Sequence, residues 1–456
     1  MLSDLPTASD GIRINVGAER RTETLGYQPD KTAGSGDLSG GAGAAPTING
    51  GYNVNEAFGE ARVPLVAGLP GVSDLVFETG YRHSHYSTSA GSVNSFKFGL
   101  QFAPVQDLRL RGSFQRAIRA PNIIELFNPP VVTQTSTVGV DPCAGATPGA
   151  TLEQCAHTGV TAGQYGHIAQ CPSGQCSALL GGNTALRPET ANTTSIGLTL
   201  TPTFLPGFSG SLDYYRIRIS DEISVVPANI ELATCLNDGN PAACALIQRG
   251  PNGQLFGQAS GFFRNIDDNL SEALVAGIDV QVQYRVPIAM EWGRLEATLN
   301  GSYLQKNETT PIKGFTYDCA GLYGITCQTV SPKWRHNLRL SWQTPWRVLL
   351  SAQWRFIGSV SLDTNDSQPS LRLINDFTNG GSYDAFDARL GSRSYLDLSA
   401  FWDVTPNITI RAGANNVLDR DPPLVNSLVS QTGSPNSFPT YDLLGRVIFM
   451  GVRARF

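Results

Sequence analysis

The sequence predicts an all-β fold: an antiparallel, up-and-down β-barrel wall that crosses a membrane. Three observations carry that expectation. Apolar and polar residues alternate with period two in about fourteen separate runs. Tight turns and long loops alternate between those runs, so the long loops gather at one end of the sheet. All 8 cysteines fall in the long loops.

The runs lie near 9–21, 52–65, 73–85, 93–103, 107–119, 189–201, 208–226, 261–286, 292–304, 334–343, 346–357, 393–403, 408–417 and 443–456. In the fourth, Phe96, Phe98, Leu100 and Phe102 share a face. In the fifth, Arg109, Arg111, Gln115 and Arg119 share one, a polar row that a wet lumen accepts and a soluble core does not. In the eighth, Ile278, Val280, Val282, Tyr284 and Val286 stand opposite Asp279, Gln281, Gln283 and Arg285. Val348, Leu350, Ala352, Trp354 and Phe356 align in the eleventh, and Leu396, Leu398, Ala400, Trp402 and Val404 in the twelfth. No convincing helix interrupts them, apart from a short helical-looking knot, Ile123–Phe127, directly after Pro121.

Alternation alone also suits a soluble sandwich. The connections decide. Tight turns at 103–107, 343–346 and 404–407 contrast with long links at 22–51, 120–188, 227–260, 305–333, 358–392 and 418–442, with 86–92 the exception to the rhythm. Short turns at one rim and long loops at the other mark a membrane barrel. Lipid offers no hydrogen-bond partners, so a spanning sheet must close on itself. Trp and Tyr towards many strand ends suit an interfacial belt.

Composition agrees. Charged residues make up 16% of the chain, against roughly a quarter in soluble domains. A net charge of -5 excludes a nucleic-acid partner. No run approaches the roughly eighteen apolar residues of a spanning helix. Met1-Leu2-Ser3-Asp4 has no signal-peptide character. The cysteines nevertheless read as loop disulfides made in an oxidising compartment, pairing Cys235 with Cys244 and Cys319 with Cys327. Cys143, Cys155, Cys171 and Cys176 allow three connectivities, of which 143–155 with 171–176 is favoured. A secreted type of chain without a signal suggests that the front of the natural chain is missing.

No metal or cofactor is expected. His157 and His167 lie among the cysteines, but zinc-ligand spacing is absent. His83 and His85, beside Tyr81 and Tyr86, read as surface histidines, and Asp267 and Asp268 as lumen or rim acids. No zinc-protease, phosphate-loop, dinucleotide or nucleophile-elbow motif is present, so no enzyme is expected.

Five segments in order resemble TonB-dependent outer-membrane receptors. RAIRAPNIIELF (116–127) resembles a signature found where a barrel strand reaches the outer rim. LRPETANTTSIGL (186–198) resembles the family's Leu-x-Pro-Glu segment, and LDYYRIRISDEI (212–223) and EALVAGIDVQVQY (272–284) look like its two following strands. AGANNVLDRDPP (412–423) is similar to the stretch before the last loop, and LLGRVIFMGVRARF (443–456) closes on Phe456 as barrel-assembly signals close on an aromatic. The resemblance implies structural roles for Arg119, Pro121, Asn122, Glu125, Phe127, Pro188, Glu189 and Phe456.

It also implies a barrel of 22 strands holding a plug. Residues 1–456 then read as barrel throughout, incomplete at the N-terminus, without plug or signal peptide. The implied function is TonB-energised uptake of a scarce nutrient, an iron–siderophore or an oligosaccharide, across the outer membrane of a Gram-negative bacterium, with the loops extracellular. Strand parity places Arg109, Arg111, Arg216, Arg218, Gln281, Gln283 and Arg285 along the lumen path. Implied partners are outer-membrane lipid, the TonB complex through the plug, and the barrel-assembly machinery through the last strand. A plugless passive channel and a secreted β-structured adhesin are the alternatives.

Overall fold

The computed structural model describes residues 10–37, 43–135, 140–257, 260–377, 388–426 and 437–455. Fourteen strands pair in strict sequence order in one antiparallel sheet, and a short fifteenth, Phe315–Asp318, folds back on the loop end of Arg294–Ile312. They are β1 (Arg13–Tyr27), β2 (Ile48–Leu69), β3 (Val72–Tyr86), β4 (Ser92–Val105), β5 (Leu108–Arg119), β6 (Glu189–Leu200) and β7 (Phe208–Ser224). The second half is β8 (Asp268–Val286), β9 (Arg294–Ile312), β10 (Trp334–Gln343), β11 (Val348–Ile357), β12 (Arg393–Thr405), β13 (Ile408–Asn415) and β14 (Val447–Ala454). No ladder joins β1 to β14 among the described residues. Phe456 lies outside them.

Cross-strand pairing fixes which residues share a face. One face carries Phe98, Leu110, Ile196, Leu212, Leu340, Leu350 and Leu398, all exposed, as lipid-facing residues must be. Its two ends are aromatic. Towards the long loops stand Tyr81, Phe96, Phe114, Tyr214, Tyr303, Trp334 and Phe356; towards the tight turns stand Phe208, Tyr284, Trp342 and Trp402. Trp342 donates its indole N–H to the Trp292 carbonyl at 2.7 Å. The ten residues of β10 run from one belt to the other. At about 3.3 Å per residue, a tilted strand of that length spans an apolar band about 25 Å tall.

The long connections are not simple loops. Val131–Thr135, Cys176–Gly181, Phe262–Ile266 and Ile247–Gln248 make a separate small sheet. The expected strand 261–286 is therefore two elements: Phe262–Ile266 runs parallel to Cys176–Gly181, and β8 starts afresh at Asp268. Helices Ala228–Asp238 and Pro369–Phe377 also correct the expectation that helices are absent. Ala228 through Leu236 are buried on every side, so their sequence shows no amphipathic stripe.

These segments share one apolar core. It joins Ile168 from the β5–β6 connection, Ile230 and Leu236 from β7–β8, Phe315 from β9–β10 and Leu371 from β11–β12. Four disulfides, Cys143–Cys155, Cys171–Cys176, Cys235–Cys244 and Cys319–Cys327, each close within a single connection. Between connections one tie is a buried ion pair. Arg249 donates to both Asp141 carboxylate oxygens at 2.6 and 3.1 Å, to Thr158 Oγ1 at 2.8 Å and to the Gly253 carbonyl at 2.7 Å. Both partners are almost wholly buried.

Two outcomes follow from the cap. Arg249→Met strands a buried carboxylate and should cost the cap about 3–5 kcal/mol, read as faster amide exchange over 141–158 and 249–266 while the barrel strands stay protected. The second concerns Glu231, which is fully buried with neither carboxylate oxygen partnered, so burial pushes its pKa well above the usual 4.5. The folded cap holds that proton more tightly than the unfolded chain. Its stability should therefore be greatest below about pH 4.5 and fall as pH rises through the raised value. Glu231→Gln should flatten that slope in amide exchange of 228–238.

Candidate functional site

At the long-loop end of β5, the chain turns sharply at Pro121 into the helix Ile123–Phe127. Asn122 caps it, accepting from the Ile124 and Glu125 amides at 2.9 Å, and Glu125 reaches back to the Asn122 amide at 2.8 Å. Such reciprocal capping satisfies helix donors that have no intrahelical partner. Arg119 then clamps two carboxylates. It donates to Glu189 at 2.7 and 2.5 Å and to both Glu125 oxygens at 3.0 Å. Glu189 also accepts from the Ile223 amide at 2.8 Å. Leu126 is buried against Leu186 and Ile223, with Phe127 beside them. Strand, helix and the return into β6 and β7 are thereby locked together. Asp267 lies close to this clamp, and burial pushes its pKa up.

Below the rim, the polar face divides into two unlike halves. On β1 to β8 every cation of that face has a carboxylate partner. Arg62 meets Glu78 at 3.5 Å, Arg82 meets Glu56 at 3.2 Å and Lys97 meets Glu60 at 2.9 Å. Arg109 meets Asp74 at 3.4 Å, Arg111 forks onto Asp213 at 2.7 and 2.5 Å, and Arg285 meets Glu296 at 3.5 Å. On β9 to β14 the pattern changes. Arg355 is held by Asp397 and Asp442 at 2.6 Å each. Arg294, Arg335, Arg339, Arg411 and Arg453 share that face and are exposed, and among the described residues none has a carboxylate within ion-pair distance. Arg339 binds only the Gln353 amide oxygen, at 3.0 Å from Nε.

Residues 4–417 match the TonB-dependent receptor-like β-barrel family. The chain belongs to that family. No curated protein sequence matches it. Among solved structures it resembles the ferric enterobactin receptor of Pseudomonas aeruginosa, at 18% identity and a TM-score of 0.60, over 98% of this chain and 51% of that one. The siderophore receptor PirA of Acinetobacter baumannii gives 14% and 0.54, over 98% and 55%. The FrpB iron transporter of Neisseria meningitidis gives 12% and 0.53, over 98% and 53%. At such identities the likeness shows the fold. The chain spans about half the length of these receptors. TonB-dependent receptors reside in the outer membrane of Gram-negative bacteria and transport rather than catalyse.

Within this receptor barrel the lumen candidates separate. Arg109, Arg111, Gln281, Gln283 and Arg285 share the polar face. Arg111, Gln281 and Gln283 border a hollow of about 300 Å³ with Ser211, Thr298 and Asn300. Arg216 and Arg218 do not join them. They pair with Thr194 and Asn192 on the face of Leu212 and Tyr214, so both point outwards. Beyond Tyr214 the strand has left the hydrocarbon, and polarity there no longer marks the lumen. Sequence reasoning missed the five unpartnered arginines. The alternation of Arg335 and Arg339 in WRHNLRLSWQ was visible, but only register shows that nothing opposite neutralises them. His83 and His85 are surface residues on hydrogen bonds to Asn94 and Ser92, at 2.8 and 2.9 Å.

The rim lock also rests on Gly50, where a methyl group would overlap the Phe127 ring. Gly50→Ala should destabilise the packed helix by about 1–3 kcal/mol and speed amide exchange over 123–128. Adding Phe127→Ala should restore room for the methyl, so the double variant should exchange no faster than Phe127→Ala alone.

Proposed function

We propose that this receptor barrel serves uptake of a scarce, anionic small molecule across the outer membrane, of the iron–siderophore class rather than a neutral oligosaccharide. The long loops, with their oxidised cysteines, face the outside. Energy comes from TonB through a plug seated against the polar wall. The observation that carries this reading is the divided wall. One half is electrically closed by its own ion pairs, while Arg294, Arg335, Arg339, Arg411 and Arg453 keep five guanidinium groups open on a chain whose net charge is -5. A guanidinium without a protein carboxylate can give its strong, charge-assisted hydrogen bonds to an anionic cargo. Arg335 also borders a hollow of about 510 Å³ with Gln281, Asn300 and Asn337 near the loop end. Neutral oligosaccharide gains nothing from that excess charge.

The test is binding to the receptor in outer membranes, with a ferric tris-catecholate trianion and with maltohexaose as probes. The trianion should bind, and Arg335→Gln with Arg339→Gln should weaken it about tenfold with heat-modifiable gel mobility unchanged. Equal binding of maltohexaose, or no effect of the double variant, would overturn the anionic cargo. Failure of both probes on the folded receptor would count against uptake itself.

A further inference from the structure

The outward-facing arginines belong to a pattern. On three strands a cation stands one outward position beyond an aromatic of the loop-side belt: Arg116 beyond Phe114 on β5, Arg216 beyond Tyr214 on β7, and Lys306 beyond Tyr303 on β9. Phe96, the cross-strand partner of Arg116, packs its ring 6.1 Å from Phe114. Arg218 lies two residues further along β7, and Asn192 of β6 pairs across to both Arg116 and Arg218.

Lys306 reaches this face only through a backbone irregularity. Tyr303 pairs with Ile278 and Leu304 with Gly277, but the next partner, Ala276, pairs with Lys306 and not with residue 305. Strict alternation from Tyr303 would turn Lys306 inwards. The bulge at Gln305 turns it outwards, as bulges re-aim side chains. It brings Lys306 opposite Ala276, whose other cross-strand neighbour is Arg216. Ala276 is buried between two exposed cations.

The charge is only partly met. Arg218 pairs with Glu272 at 2.6 Å, and Lys306 pairs with Glu308. Among the described residues Arg116 and Arg216 have no carboxylate within ion-pair distance. On β3 and β4 the same level carries His83, His85, Asn94 and Ser92, and on β1 it carries a single cation, Arg20 opposite Asn55, so the cluster of four lies on β5–β9.

We infer that Arg116, Arg216, Arg218 and Lys306 form a docking site for the phosphate groups of a lipid headgroup in the adjoining leaflet. The aromatic belt sets the level of the membrane interface. Cations one position beyond it stand where headgroup phosphates lie, and Lys and Arg at that depth attract anionic lipid. The leaflet is the outer one if the loops face outwards as proposed, but the site itself does not depend on the cargo.

The test is retention of a bisphosphorylated glycolipid, lipid A, by receptor extracted from outer membranes and stripped by detergent exchange. Wild type should bind it, and Arg116→Ser with Arg216→Ser should bind about tenfold more weakly with unchanged heat-modifiable mobility. Phosphatase-treated lipid A should show the same loss on wild type. Equal binding by the folded variant, or of the dephosphorylated lipid, would overturn the site. Displacement by millimolar inorganic phosphate would also overturn the lipid assignment, because a headgroup site gains affinity from the belt beneath it.

Discussion

Hydrocarbon has no hydrogen-bond partner to offer, and the rest of this structure depends on that. Every backbone N–H and C=O that crosses must be met by the next strand. Pairing each strand with its sequence neighbour meets the demand between β1 and β14 with short turns and no crossovers, and among the described residues leaves only the outer edges of those two strands without a ladder. It also forces successive side chains into two different solvents. From that follow the apolar outer face, the aromatic belts at its limits and the polar inner wall, each with its own chemistry.

The inner wall shows how little a single exposed ion pair need contribute and how much a lattice of them can arrange. Each pair stabilises by about 0–1 kcal/mol, but together they leave β1 to β8 with no free cation on that face among the described residues. The paired half behaves as neutral scaffold, and the open charge is confined to the strands that follow. At the rim the same ions do a different job. Arg119 holds Glu125 and Glu189 at once, so a strand, a short helix and a returning loop share one fastening.

How far this was legible in the sequence depended on whether one strand or two carried the information. Alternation is local, and the strands announced themselves within their own residues. The knot after Pro121 was legible for the same reason, since Asn122 and Glu125 lie within one turn. Register is not local. Nothing in the residues around Arg335 says that Ser302 and Ile357 stand opposite it, and nothing around Arg216 says that the hydrocarbon ends at Tyr214. The segment Phe262–Ile266 continues the rhythm of β8, and only its pairing with Cys176–Gly181 separates the two. The helix Ala228–Asp238 was hidden by its own burial, which erased the stripe that betrays a helix.

The four disulfides span only 12, 5, 9 and 8 residues, and none crosses from one connection to another. Each ring can therefore close while its own loop is still isolated, before any neighbour has arrived. A covalent bridge between loops would have had to wait for the strands to be in place, or would have tied them in the wrong order. Here the covalent work is finished early and piecewise. The joining of the loops is left to apolar packing, short backbone ladders and a buried ion pair, which can form late, come apart and form again. A barrel built this way can be threaded into its membrane with its crosslinks already made and nothing yet knotted.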